Sequence, residues 1–164
     1  MRNSGNHRFA VQALRRTLGA TLAGILGIGA SYVAPTQAPR VIELTQVPCQ
    51  FLESEGVDHG YTSRSIKDCE AINAKTANQR VAQSKPLELK PGKYLFRVAN
   101  KNVPYELGFW LRGASAAGRI TLPSVSGGGI LAGGKRDYEI ELKPGEYLYS
   151  CPLNTTPDYR LVVK

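Results

Sequence analysis

The sequence has few of the side chains that metal sites and many catalytic sites require. Its 164 residues include two histidines, three cysteines and one methionine. Met1 and His7 lie near the start, so the rest of the chain has His59 as its single histidine and no further methionine. Most copper and zinc sites use two or more imidazoles or several thiolates. The composition therefore argues against an ordinary metal centre.

Acidic residues are missing from the start of the chain, where none precedes Glu43. Four arginines, at positions 2, 8, 15 and 16, precede an apolar run over residues 18–34. A basic segment followed by an apolar one is typical of an export signal, so we predict a leader over residues 1–38. The pair Arg15-Arg16 resembles a twin-arginine signal. The alternative is a leader retained as an anchor, and we expect membrane contact only in that case.

A dense run of lysine or arginine is also missing. The net charge is +8, and the leader contributes four arginines and no acids, so the remaining chain carries +4. Scattered charges do not form the basic patch that nucleic-acid binding requires, and we predict no nucleic-acid partner. No nucleophile can be paired with His59, so we predict no catalytic residues and no enzymatic activity. The leader favours a periplasmic or secreted location in a bacterial cell.

The segment after the leader, residues 39–84, contains one strand, one loop and one helix. Residues 41–47 alternate between apolar and polar types, which predicts a strand, and the polar residues 50–62 predict a loop. A single helix is predicted from Ser65 to Ser84, with Ser65 and Asp68 as a capping box. Its apolar residues recur at near-helical spacing, at Ile66, Cys69, Ile72 and Val81. We interpret the segment as an N-terminal extension.

Residues 85–164 contain short apolar stretches separated by proline and glycine turns. This spacing favours an all-β Greek-key β-sandwich. The glycine-rich residues 127–134 are interpreted as a flexible turn between strands. Strands are predicted at 87–89, 94–98, 107–111, 119–122, 138–142 and 147–149, followed by a final apolar strand.

One pattern occurs twice. Residues 87–97 align with residues 140–150, and each copy contains a Lys-Pro-Gly turn followed by aromatic residues. Proline fixes the φ angle at its position in a turn, and glycine can adopt a positive φ. We expect the same corner between strands to be used twice.

Two stretches carry a resemblance to a known family. The first is Asn100-Lys101-Asn102-Val103-Pro104-Tyr105, and the second is the closing hairpin, in which a strand ends at Cys151 and a loop leads to Tyr159. Together they resemble the cupredoxins, whose β-sandwich carries type 1 copper. The resemblance implies histidine ligands at the positions of Tyr105 and Asn154, a thiolate at Cys151 and a methionine near Tyr159.

Only one of these four ligands, Cys151, is present. Type 1 copper is held by two imidazoles, one thiolate and a weak axial ligand, so we predict a degenerate site without a cofactor. Cys151 is then a small buried residue, and Tyr105 and Tyr159 fill space with their rings. The alternative is a periplasmic copper-binding or electron-transfer protein that uses Cys151, with copper as its cofactor.

The other two cysteines, Cys49 and Cys69, lie 20 residues apart. In an exported protein such a pair favours a disulfide, which would stabilise the fold by about 3 kcal/mol. A mixed zinc or copper site formed by Cys49, His59 and Cys69 is the alternative, although the spacing matches no common metal motif.

Taken together, these features predict a binding or accessory module of the cell envelope. The partner is an unknown envelope protein. An aromatic group formed by Tyr105, Phe109 and Trp110 is either its docking surface or part of the core.

Overall fold

The computed structural model describes residues 38–164, and the predicted leader lies outside them except for Ala38. Within this range the chain forms nine strands and three helices. The strands are β1 (Arg40–Val47), β2 (Gln50–Phe51), β3 (Leu87–Leu89), β4 (Gly92–Asn100), β5 (Leu107–Gly113), β6 (Val125–Ile130), β7 (Lys135–Leu142), β8 (Gly145–Ser150) and β9 (Tyr159–Val163). The helices are α1 (Leu52–Glu55), α2 (Ile66–Gln83) and α3 (Ala116–Thr121).

The strands form two sheets, which confirms the predicted all-β sandwich. One sheet has the order β2-β1-β4-β7 and the other has the order β3-β9-β8-β5-β6. The pairs β1–β4 and β3–β9 are parallel, and the other paired strands are antiparallel. The segment 39–84, which the sequence suggests is an extension, therefore supplies two strands of the first sheet, β1 and β2.

The core follows from the alternation of side chains along the strands. In β4 the buried residues are Tyr94, Phe96, Val98 and Asn100, with partly exposed residues between them. A strand directs successive side chains to opposite faces, so this pattern turns one face of each sheet inward. The sheets meet on an aromatic cluster in which Phe109 lies 5.6 Å from Phe96 between ring centroids.

The repeated corner carries the chain between the sheets in both copies. The first copy joins β3 to β4, and the second joins β7 to β8, in the opposite direction between the sheets. Gly92 and Gly145 adopt positive φ angles of 138° and 154° at these corners. In each corner a tyrosine two residues after the glycine donates its hydroxyl to the carbonyl of the lysine in the turn. The distance is 2.8 Å from Tyr94 to Lys90 and 2.9 Å from Tyr147 to Lys143. Each corner is thus closed by its own tyrosine.

Helix α2 has almost the predicted bounds. The Ser65 N–H donates to the Asp68 carboxylate at 2.9 Å, which confirms the capping box. Of the four apolar residues at helical spacing, Cys69 is buried, Ile72 and Val81 are partly buried, and Ile66 is 37% exposed. The inner face of α2 is therefore narrow, and it includes the buried Arg80. No helix within residues 38–164 combines the length and apolar character needed to span a bilayer.

Three local predictions are wrong. Residues 119–122 were expected to form a strand but lie largely in α3, which begins where the Ser115 hydroxyl accepts the Gly118 N–H at 2.9 Å. The apolar residue that suggested a strand, Ile120, is 86% exposed. The expected loop 50–62 contains β2 and α1, and the first part of the expected turn 127–134 belongs to β6.

Candidate functional site

Cys151 follows directly after β8 and is completely buried. Its Sγ atom accepts hydrogen bonds from the backbone N–H groups of Gly108 and Asn154, both at 3.3 Å. Burial raises the pKa of the thiol, and these N–H groups offset only part of that shift. Cys151 is therefore a protonated thiol at neutral pH. Its sulfur serves as the hydrogen-bond acceptor for the buried N–H groups of Gly108 and Asn154.

The loop after Cys151 is closed by hydrogen bonds within itself. The Cys151 N–H donates to the Thr156 hydroxyl at 2.8 Å, and the Thr156 N–H donates to the Cys151 carbonyl at 3.2 Å. Both residues are buried. The backbone and the Thr156 hydroxyl therefore hold the shape of the loop around the sulfur.

Asn154 lies where the cupredoxin resemblance implies the second histidine. It is completely buried, and its side chain links two segments of the chain. The Oδ1 atom accepts the Cys49 N–H at 2.9 Å, while Nδ2 donates to the Val47 carbonyl at 2.9 Å. Oδ1 also lies 3.3 Å from Cys69 Sγ, which is a contact with a disulfide sulfur. The amide thus joins the Cys151 loop to the turn after β1.

Tyr105 lies where the resemblance implies the first histidine. Its partly buried hydroxyl forms a 2.6 Å hydrogen bond with the Ser63 hydroxyl and lies 3.7 Å from Cys69 Sγ. Burial raises the pKa of this phenol, so it stays neutral. The side chain reaches the segment before α2.

Tyr159, near the implied methionine position, lies in a different environment. Its ring packs against Phe51 and Tyr149, with centroids 5.9 and 5.6 Å away. Its hydroxyl donates to the carboxylate of Glu55, and burial raises the pKa of the phenol. Asn154 therefore contacts Cys151 directly, and Tyr105 is linked to Asn154 through Cys69 Sγ. Tyr159 instead contacts Glu55 and is not part of this group.

The predicted disulfide is confirmed, with an S–S distance of 2.09 Å between Cys49 and Cys69. Because both sulfurs are bonded to each other, the mixed site with His59 is ruled out for this state. The His59 Nε2 atom instead lies 2.7 Å from Glu55. Within residues 38–164, no group of three or more His, Cys, Asp or Glu side chains is placed to hold a metal ion.

A buried ion pair between Glu55 in α1 and Arg80 in α2 is not predicted by any pattern in the sequence. Their side chains are 2% and 4% exposed, and Arg80 Nη2 lies 2.7 Å from Glu55 Oε1. Burial alone would raise the pKa of Glu55, but hydrogen bonds from Arg80 and Tyr159 outweigh it and lower the pKa. Arg80 Nη2 also donates to the Cys49 carbonyl at 3.0 Å. The pair therefore ties α2 to the turn that carries the disulfide.

The predicted aromatic surface is divided by the sandwich. Phe109 is 1% exposed and belongs to the core, whereas Trp110 faces outward and is 38% exposed. The guanidinium of Arg112 lies 3.9 Å from the centre of the Trp110 ring and pairs with Asp158 at 2.7 Å. Of the three aromatic residues, Phe109 therefore cannot belong to a docking surface.

The residues at the four implied positions do not fit type 1 copper. Such a site needs two neutral imidazole nitrogens beside the thiolate. Here a phenol and an amide stand at those positions, and both are engaged in hydrogen bonds. The phenol and amide are poor replacements for imidazole at a copper ion.

Neither family models nor curated proteins give a match to the chain. Among solved structures, auracyanin B is 12% identical over 79% of this chain and 93% of its own, with a TM-score of 0.49. Auracyanin A, a "blue" copper protein from Chloroflexus aurantiacus, is 16% identical over 77% of this chain and 100% of its own, with a TM-score of 0.39.

Lac15 from a marine microbial metagenome is 14% identical over 80% of this chain, which spans 28% of Lac15, with a TM-score of 0.38. Because the TM-scores of these solved structures lie below 0.5, the topology given above rests on the strand order and register of this chain alone.

Proposed function

We propose that the chain is an exported, copper-free module with a cupredoxin-like sandwich, and that it binds a protein partner in the cell envelope. The observation that carries the proposal is the environment of Asn154. Its buried amide is fully used in linking the Cys151 loop to the turn after β1. A side chain committed in this way supports a structural role for the site.

The surroundings of Tyr105 support the same proposal. Its hydroxyl is paired with Ser63, and Cys69 Sγ lies nearby. An incoming metal ion would have to displace both this hydroxyl and the Asn154 amide from their partners. Each buried donor or acceptor left without a partner costs about 1–3 kcal/mol, so the arrangement resists a change to metal binding.

One observation favours the second candidate, a copper-binding or electron-transfer protein that uses Cys151. The Sγ atom receives two backbone N–H groups, from Gly108 and Asn154. Hydrogen bonds to a sulfur stabilise its thiolate form, which is the form that ligates metals. The candidate therefore keeps one favourable feature of a metal-binding thiolate.

A titration with Cu(II) distinguishes the two candidates. Purified oxidised protein is titrated and then dialysed, with Cys151→Ser as the matched control variant. We expect neither protein to show the intense visible band of a Cu(II)–thiolate bond or to retain metal. A band in the wild-type protein that is lost in Cys151→Ser would overturn the copper-free proposal and favour the second candidate.

The proposed location needs its own experiment. The full chain with a C-terminal tag is expressed in a bacterial host, and periplasmic, membrane and cytoplasmic fractions are probed for the tag. We expect a shortened form in the periplasm. A full-length form in the cytoplasm would contradict export, and a full-length form in the membrane would favour a retained leader.

A further inference from the structure

We propose that helix α2 is a releasable cap over the Cys151 loop, held closed by the Cys49–Cys69 disulfide, and that reduction by a dithiol opens it. The opened form would make the Cys151 thiol accessible. A binding module of fixed shape would not need such a change of state, so this redox-controlled opening goes beyond the proposed function.

The first step is that α2 lies over the Cys151 loop. The Thr155 hydroxyl of that loop donates to the Ile66 carbonyl at 3.2 Å. Asn154 separates the helix from the thiol, with its Oδ1 atom 3.3 Å from Cys69 Sγ and its N–H donating to Cys151 Sγ at 3.3 Å. Displacing the helix therefore removes the group that covers Asn154, the residue next to the sulfur.

The second step is that little apolar surface holds α2 in place. Its 18 residues include only two buried side chains, Cys69 and Arg80. A helix of a globular protein is normally held by a wide apolar stripe that faces the core. Segments with few buried apolar contacts open locally at low free-energy cost, while the rest of the fold stays intact.

The third step is that three attachments of α2 meet at Cys49, in addition to the ion pair of Arg80 with Glu55 and the hydrogen bonds to Thr155. Its sulfur is bonded to Cys69, and its carbonyl accepts hydrogen bonds from Arg80 at 3.0 Å and from Asn73 at 3.2 Å. Cys49 itself has a φ of +67°, which is unfavourable for a residue other than glycine. Loss of the disulfide therefore removes the only covalent link between the helix and this turn and leaves α2 held by hydrogen bonds and by the Arg80–Glu55 ion pair.

The chemistry of opening is a thiol–disulfide exchange. The two thiols of an external dithiol supply two electrons and two protons, the bond between Cys49 and Cys69 breaks, and the reductant becomes a disulfide. Both sulfurs are completely buried, so attack requires the helix to move first. The rate of reduction in the absence of denaturant therefore reports how often the cap opens.

The test uses the purified full chain with and without dithiothreitol, in the absence of denaturant. Hydrogen exchange measured by mass spectrometry compares peptides from α2 with peptides from β4 and β8. On reduction we expect exchange in α2 to accelerate by up to about 200-fold, the factor that corresponds to the loop-closure entropy of a 20-residue loop, and exchange in the strands to stay unchanged.

A second measurement follows the thiol itself. In the double variant Cys49→Ser/Cys69→Ser, Cys151 is the only thiol, and we expect N-ethylmaleimide to label it much faster than in the oxidised wild-type protein. The triple variant that also carries Cys151→Ser is the control for labelling elsewhere. If the double variant does not fold, the same labelling is followed in the wild-type protein after reduction, with each cysteine identified by peptide mapping.

Three results would overturn the proposal. The first is a disulfide that dithiothreitol cannot reduce without denaturant. The second is exchange that accelerates equally in α2 and in the strands, since that means global unfolding. The third is labelling of Cys151 that is no faster than unfolding of the whole sandwich.

Discussion

The ion pair between Glu55 and Arg80 allows a quantitative prediction. In Glu55→Gln the side chain keeps its shape but loses its charge, and the guanidinium of Arg80 remains buried at 4% exposure. Removing one partner of a buried pair typically costs about 3–5 kcal/mol because the other charge is left uncompensated. We expect the free energy of unfolding at pH 7 to fall by about that amount.

Urea denaturation followed by tryptophan fluorescence measures the loss. The matched control is Glu88→Gln, which breaks a pair with Lys164 whose side chains are 60% and 67% exposed. Surface pairs of this kind contribute about 0–1 kcal/mol. A loss in Glu55→Gln no larger than the loss in Glu88→Gln would refute the assigned role of the buried pair.

The pH dependence provides an independent check of the same pair. The pKa of Glu55 in the folded protein lies below its ordinary value of 4.5. The charged form therefore stabilises the folded state above that ordinary value, and the contribution is lost as the pH falls below 4.5 through the folded pKa. Wild-type stability should decline over this range, and the decline should be smaller in Glu55→Gln. Equal declines in both proteins would contradict the lowered pKa.

Three further substitutions test other parts of the fold. In Gly113→Ala the new Cβ would lie 2.2 Å from the backbone of Gly118, so we expect a loss of about 1–3 kcal/mol in urea denaturation, and an unchanged midpoint would contradict the close approach. Tyr147→Phe removes the hydrogen bond to the Lys143 carbonyl and should lower stability by about 1 kcal/mol, measured by thermal denaturation; no loss would mean that the corner does not need it. Asn154→Ala leaves two buried backbone groups without a partner and should lower the free energy of unfolding by about 1–3 kcal/mol, while circular dichroism should show that the sandwich is retained. An unchanged free energy of unfolding would contradict the linking role of Asn154.

The sequence predicted most strands because their physical signals are local. Alternation in β4 and the Lys-Pro-Gly turns act within a few residues, and the structure places strands and corners where these signals occur. The error at residues 119–122 has the same origin. Ile120 belongs to a short apolar stretch that suggested a strand, but the Ser115 cap and the packing of the segment against β5 favour a helix.

The candidate site could be predicted only in part. The disulfide follows from the number of cysteines and the predicted export, and the position of Cys151 follows from the closing hairpin. The link between Glu55 and Arg80 could not be predicted, because polar residues 25 positions apart give no sign that they meet in a buried location. The role of Asn154 likewise depends on a turn more than 100 residues earlier in the chain.

The parallel pairing of β1 with β4 has a consequence for how the protein reaches its folded state. Arg40 pairs with Tyr94, 54 residues later, and β3 pairs with β9 over a still longer separation. Contacts between distant residues slow folding, because long loops must close before pairing gives any stabilisation. The strand nearest to β1 in the sequence, β2, pairs only with its last two residues, so most of β1 stays unpaired until β4 is in place. The sandwich should accordingly acquire its first sheet late, after the hairpin of β8 and β9 has formed.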